Sequence, residues 1–287
     1  MIKDFSFLNY MIDENGIIPE EIFNGLLGEW LTNAKKSYTT KDKTYFIYRF
    51  ENTTAGILLK TRNTEKNKYE FEDFQTIVFG SEPIKCRISS INKEKEQCTL
   101  LVDDKCLIIC AMDPLDFKED DEVYVYLNFF ANRIEFRKDE DDYYKYLQKV
   151  DDGEFNVFNI AIGELIPPIG IIKGDREHFP NITDEMLNNF DDSFMVGSGK
   201  IVDSYMIEPK LKMPTETNLP NNELPLGKCD CYEFKSKIGN IPVIVEDEII
   251  NQFMQASGIE RFKLDENSII KAYGYIGAFI DTNKIES

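Results

Sequence analysis

The chain has 287 residues, of which 42% are hydrophobic and 13% aromatic. That apolar content suffices for packed cores and excludes a disordered chain, and the length calls for two or three compact units. Asp and Glu number 52 against 33 Lys and Arg, a formal net charge of −19 with the single histidine neutral. Such a balance repels polyanions at long range and disfavours DNA or RNA as partners.

The longest apolar runs, such as 106–112, fall far short of the roughly 20 residues that span a bilayer. The start Met1-Ile2-Lys3-Asp4-Phe5 lacks the basic and apolar segments of a secretory signal. Four of the six cysteines, Cys86, Cys98, Cys106 and Cys110, sit in apolar β-like runs, where a reduced thiol packs as a small hydrophobe. A cytoplasmic protein without membrane association is therefore expected.

Residues 1–80 read as an N-terminal helix plus antiparallel strands. Pro19, Glu20 and Glu21 suit a helix start, and Ile22, Phe23, Leu26, Leu27 and Trp30 recur at helical spacing. The aromatic and β-branched stretches 44–50, 56–60 and 69–79 predict three strands. In residues 81–137, strands are predicted at 85–91, 98–103 and 105–112. An acidic turn follows at 113–122, then strands at 123–130 and 132–136. Val123, Val125 and Leu127 alternate with Tyr124, Tyr126 and Asn128, which separates an aliphatic face from an aromatic and polar one.

Residues 138–198 form an acidic helical connector and a mixed segment. The helix at 138–153 carries a stripe of Tyr143, Tyr146, Leu147 and Val150, with Asp139–Asp142 at its N-terminal end. A strand at 155–160, a break at Pro167-Pro168 and a short helix from Thr183 to about Phe190 follow. In residues 199–287, a strand at 200–207 leads into a proline-bearing loop at 208–228. Strands at 229–237 and 241–245 are joined by a Gly239-Asn240 turn. A helix at 246–257 stops at Gly258, and strands at 268–275 and 276–280 bend or bulge at Gly274 and Gly277.

The stretches 81–137 and 199–287 thus share an order: three strands, an intervening segment, two strands. That order resembles the OB-fold, a five-stranded barrel with a segment between strands three and four. The fold class expected is mainly β with a few short helices (α+β): antiparallel sheets, with two OB-like modules after an N-terminal α+β unit.

No motif carries a catalytic signature. Gly197-Ser198-Gly199-Lys200 has Phe194 and Ile201 where a phosphate-binding loop needs Gly and Ser or Thr, and reads as a turn into a strand. His178 stands alone beside Asp175, Arg176 and Glu177 and reads as a surface histidine. Cys229-Asp230-Cys231 lacks a second pair at zinc spacing, so no metal and no cofactor are expected. Glu233-Phe234-Lys235, with Asp203 as an earlier acid, matches the local piece of a magnesium-dependent nuclease, as Asp116-Phe117-Lys118 does less completely. An ordinary solvated strand face is the plainer reading of both.

The acidic clusters carry the functional expectation. Glu119, Asp120, Asp121 and Glu122, with Asp139, Glu140, Asp141, Asp142 and the neighbouring Tyr143 and Tyr144, form a predicted docking surface for a basic protein partner. A third acid run lies at 151–154. The function expected is that of a non-catalytic acidic binder of the immunity or inhibitor type. The alternatives are an OB-like module binding single strands or oligosaccharides on the face of Tyr124 and Tyr126, and the magnesium-dependent nuclease.

Overall fold

The computed structural model describes residues 20–284 apart from 52–53, 66–67, 81, 114, 150–159, 176, 179–182, 184–186, 189, 209, 213–222, 226–227 and 259–263. The expectations placed on Pro19, the acid run 151–154, the strand at 155–159 and most of the helix from Thr183 lie outside these residues. The chain divides into two units. One comprises Met1–Phe79 with Met206–Asp230, and the other Gly80–Tyr205 with Cys231–Ser287.

In the first unit, helix α1 (Glu20–Asn33) lies with an antiparallel meander ordered β1-β2-β3-β4. The strands are β1 (Lys35–Thr39), β2 (Lys43–Arg49), β3 (Ala55–Glu65) and β4 (Lys68–Val78). Leu26 and Trp30 of the helical stripe are fully buried, and the Trp30 ring packs on Tyr48 and Phe74 at 6.5 and 5.8 Å. Phe46, Leu59 and Phe74 are cross-strand partners and so share one face of the sheet. The helix and three of the strands match expectation. Strand β1 does not: its Lys-Lys-Ser-Tyr-Thr is polar and half exposed, as an edge strand is, and shows no apolar alternation. The proline-bearing loop also contains a short pair, β11 (Lys210–Lys212) with β12 (Glu223–Pro225).

The second unit is built on one mixed sheet. Its strands are β5 (Ile84–Asn92), β6 (Gln97–Val102), β7 (Cys106–Ala111), β8 (Glu122–Arg137), β9 (Leu165–Ile166), β10 (Met195–Ile207), β13 (Cys229–Ser236), β14 (Gly239–Glu246) and β15 (Ile269–Ile280). Their order is β13-β14-β8-β5-β6-β7-β15-β10-β9, with β8 also pairing β15 and β13 also pairing β10. The pairings therefore close two circuits of five strands, β8-β5-β6-β7-β15 and β8-β14-β13-β10-β15, which share β8 and β15. Strands from 81–137 and from 199–287 alternate within this sheet, and β14 with β8 and β15 with β7 run parallel. The mainly β character stands. The sheet is mixed where an antiparallel one was expected, and each circuit borrows strands from both stretches.

Two pairs of expected strands are single long ones. Strand β8 runs unbroken over 16 residues and β15 over 12, joined antiparallel from Ile269↔Arg137 to Ile280↔Val125. The register shifts between Tyr273 and Gly274, where β8 has the extra residue Asn132. A Cβ on Gly274 would stand 2.0 Å from the Phe130 carbonyl oxygen, so the bulge requires glycine there. Val123, Val125 and Leu127 are buried in the core as their alternation predicts, with Phe129, Ile134, Phe136, Ile270 and Ala272.

Among the described residues, three α-helices accompany this sheet. Helix α2 (Glu140–Lys149) follows β8, α3 (Ile169–Gly174) follows Pro168, and α4 (Asp247–Ser257) follows β14. Gly258 ends α4 in the left-handed region at φ 69°, donating its N–H to the Met254 carbonyl. The expected Gly239-Asn240 turn falls two residues earlier, on Lys237-Ile238, and Gly239 opens β14 at φ 131°.

Candidate functional site

The site is set by the β8–β15 register. Lys271 is the partner of Glu135, Tyr273 of Arg133 and Ile269 of Arg137. Because side chains alternate along a strand, Arg133, Glu135, Arg137, Lys271 and Tyr273 share the face opposite the core residues Ile134, Phe136, Ile270 and Ala272. Three cations and a tyrosine thus surround one carboxylate on a face of a strongly acidic chain.

Glu135 is the hub, its side chain only 6% exposed. Its Oε1 accepts from the Tyr273 hydroxyl at 2.9 Å and from Arg133 Nη2 at 2.9 Å. Its Oε2 faces Arg137 Nη2 at 3.7 Å, an ion pair too long for a hydrogen bond. Arg137 is fixed by donating Nη1–H to the Phe136 carbonyl at 2.9 Å and by lying 3.7 Å over the Tyr146 ring from α2. The Arg133 guanidinium stands 5.1 Å from the Tyr273 ring centre.

Electrostatics mark the same face. Burial pushes the Lys271 ammonium down to about 8; Glu135 works against that shift and Arg133 and Arg137 with it. Burial, and then the Glu135 carboxylate, push the Tyr273 and Tyr146 phenols up.

A cavity of about 860 Å³ opens beside this cluster. Its charged lining is two arginines, Arg133 and Arg137, with two carboxylates, Glu135 and Asp142, and the Tyr146 phenol; Ile249 and Phe253 of α4 supply apolar lining. It lies along the C-terminal half of β8. Strand β14 pairs with β8 at Phe129 and Phe130, and among the described residues no strand takes that side of β8 farther along. Phe253 is held by an edge-on contact with Phe136, 5.6 Å between ring centres. Phe253 thus lies on the core side of β8 and the charged groups on its other face, so the cavity wraps this edge of the strand and joins apolar surface to a few fixed polar groups, as small-molecule sites do.

Of the residues expected to dock a partner, Asp142 lines this cavity and the others lie outside it. Asp139 accepts the Asp142 N–H at 2.9 Å and so caps α2, Asp142 accepts the Lys138 N–H at 3.3 Å, and Glu140 pairs with Lys200. Asp141 and Tyr144 are exposed, whereas Tyr143 is 1% exposed and donates its hydroxyl to the Ile160 carbonyl at 2.8 Å. Tyr143 therefore belongs to the buried stripe and offers no surface to a partner. In the other cluster, Asp120 pairs with Arg87, Asp121 accepts the Lys118 N–H, Glu122 pairs with Lys85, and Glu119 is exposed. The clusters flank opposite ends of β8, which at about 3.3 Å per residue separates them by roughly 50 Å of strand.

The remaining motifs have plain placements. Gly197-Ser198-Gly199-Lys200 lies within β10, not in a turn. A Cβ on Gly199 would meet the Lys235 carbonyl oxygen and the Phe234 ring at 2.4 Å, so glycine admits the close approach of β13. His178 Nδ1 pairs with Asp175 at 2.7 Å on the surface, and the hydrogen bond to that carboxylate raises the imidazole. Cys229 and Cys231 are buried and not joined in a disulfide. Glu233 is buried and Lys235 exposed; burial, then the Asp203 charge, raise the Glu233 carboxyl. Among the described residues no three His, Cys, Asp or Glu side chains are grouped to hold a metal ion, and no helix is long and apolar enough to cross a membrane.

The cluster at Glu135 was not anticipated. Its signal is charge inside apolar strands: Arg133-Ile134-Glu135-Phe136-Arg137 alternates on one side, and Lys271 interrupts Ile269-Ile270 and Ala272 on the other. Comparison with protein families, with curated proteins and with solved structures finds no match to this chain.

Proposed function

We propose that the cavity beside β8 binds a small organic acid with an apolar body, which makes this chain a ligand-binding protein. The observation that carries the reading is the pair of guanidiniums, Arg133 and Arg137, both braced on buried Glu135 and lining a cavity to which Ile249 and Phe253 add apolar surface. Arginine held in place loses little freedom on pairing with a carboxylate, and apolar surface removed from water supplies the rest. Lys271 behind Glu135 adds positive potential, and the acidic remainder of the molecule repels large polyanions from the same site.

Titration calorimetry with 3-phenylpropionate and its primary amide tests this. The acid is expected to bind at least about tenfold more tightly than the amide, the size of one charge-assisted hydrogen bond. Equal affinities, or no saturable binding of either, would remove the proposal. In Arg137→Met the acid should lose that advantage while the circular-dichroism spectrum is unchanged.

A basic protein partner remains a second reading, narrowed to the first turn of α2. There Glu140, Asp141, Asp142 and exposed Tyr144 stand together, while the cluster at 119–122 lies at the far end of β8. The OB-like alternative draws support from the two five-strand circuits alone. Its aromatic platform is already occupied: Tyr126 stacks on Phe279 at 4.9 Å, and the Lys284 ammonium lies over Tyr124 at 4.8 Å.

A further inference from the structure

We infer that acid binding at this cavity is coupled to the proton on buried Lys271: a bound acid favours the charged ammonium, and loss of that proton weakens the ligand. The inference rests on reading the cavity as an acid-binding site and names the regulation of that site. Lys271 is 3% exposed and stands outside the cavity lining, whereas its cross-strand partner Glu135 lines it. Arg133 and Arg137 flank Glu135 along β8, pair with its carboxylate at 2.9 and 3.7 Å, and line the cavity as well. The guanidiniums that would receive a ligand and the ammonium behind them thus share one carboxylate.

The other groups on this face are committed elsewhere. On β10, Ser198 is the second cross-strand partner of Lys271 and donates its hydroxyl to the Ala161 carbonyl, while Lys200 pairs with Glu140. On α2, the Tyr143 hydroxyl goes to the Ile160 carbonyl, and the Tyr146 phenol hydrogen-bonds both Glu135 and Arg137. On β15 itself, the Tyr273 ring centre lies 5.2 Å from the Lys271 ammonium, and its hydroxyl bonds Glu135. Of the described charged groups, Glu135 favours the charged ammonium and Arg133 and Arg137 oppose it.

A ligand carboxylate on the two guanidiniums brings a second anion into this cluster. It offsets the charges that oppose the ammonium, so Lys271 holds its proton more firmly in the bound state than in the free one. Coupling is reciprocal: the factor by which the ligand favours the proton is the factor by which the proton favours the ligand. At an effective dielectric of about 20, charges about 10 Å apart are coupled by roughly tenfold. Burial places the free ammonium at about 8, where the ligand carboxylate is fully ionised and the raised phenols of Tyr146 and Tyr273 keep their protons. Affinity is therefore highest below that value and falls as pH rises through it.

Calorimetric titration of 3-phenylpropionate into the full chain near pH 8.5, in Tris and in EPPS, measures the proton directly because these buffers differ in ionisation heat. Uptake of about half a proton per acid bound is expected, with affinity roughly five- to tenfold weaker near pH 9.5 than near pH 7. Lys271→Met should show neither effect and bind at the alkaline level of the wild type. Lys271→Arg, which keeps its charge throughout, should hold the acid as tightly near pH 9.5 as near pH 7. Saturable wild-type binding without proton uptake or alkaline weakening would overturn the inference while leaving the acid site standing. Uptake that persists in either variant assigns the proton to another group and overturns it too. If 3-phenylpropionate binds at no pH, the acid-binding reading falls and takes this one with it.

Discussion

Lys271 and Glu135 are direct cross-strand partners on β15 and β8, both buried, with an arginine on either side of the glutamate at 133 and 137. One carboxylate therefore answers to three cations, and removing it leaves buried positive charge without compensation. Glu135→Ala is expected to lower the unfolding free energy by about 3 kcal/mol in urea denaturation. Tyr273→Phe, which deletes one hydrogen bond to that carboxylate, should cost about 1 to 2 kcal/mol. A loss near zero for Glu135→Ala would mean that the cluster is solvated and that the cavity has no fixed polar wall.

The depressed Lys271 has a defined pH signature. Burial holds its folded pKa near 8, below the usual 10.5, so between those values the unfolded chain binds more protons than the folded one. Stability therefore rises with pH across that window, and the cost of a buried ammonium is present in full below it. Wild type minus Lys271→Met should gain about 2 kcal/mol from pH 8 to pH 10. Taking the difference cancels Tyr143, Tyr146 and Tyr273, whose raised phenols weaken the fold only above the usual tyrosine pKa. A flat difference across this range would show that Lys271 reaches water.

Asp139 is expected to act first on helix α2. Its side chain accepts the Asp142 N–H, and its backbone carbonyl accepts the Tyr143 N–H. Asp139→Ala should cost about 1 kcal/mol and speed amide exchange in the first turn of the helix. Should a basic partner be found, Asp141→Asn, which breaks no cap, separates docking from capping: it should slow association at low salt with stability unchanged.

Two glycine substitutions should act in opposite directions. Gly28 lies exposed in α1 with open space where a Cβ would stand, so Gly28→Ala should stabilise by about 0.5 to 1 kcal/mol. Gly199→Ala places its methyl 2.4 Å from the Lys235 carbonyl oxygen and the Phe234 ring, and should destabilise by about 2 kcal/mol or more. Thermal unfolding of the two variants beside wild type reads both signs.

Much of the local structure is legible in the sequence because it depends on near neighbours. The helical stripe through Leu26 and Trp30, the alternation Val123, Val125, Leu127 and the stop at Gly258 each follow from period or backbone preference within a few residues. The edge strand β1 was hidden because polar residues at an edge carry no alternation. The strand pairs at 123–136 and 268–280 looked broken at Asn132 and Gly274, where a bulge absorbs the irregularity without ending the strand.

The sequence by itself determined that this is a mainly β chain with excess acid and core-forming alternation, since those depend on composition and spacing. Only the tertiary structure decided that Glu135 meets Lys271 and Tyr273, residues more than 130 positions away, because register between distant strands is set by packing of the whole sheet. It also decided that the acid clusters flank opposite ends of β8 while Arg133 and Arg137 line one cavity and Lys271 pairs across the strands with Glu135. Net charge counts residues without regard to place, whereas a site depends on which few of them the fold removes from water together.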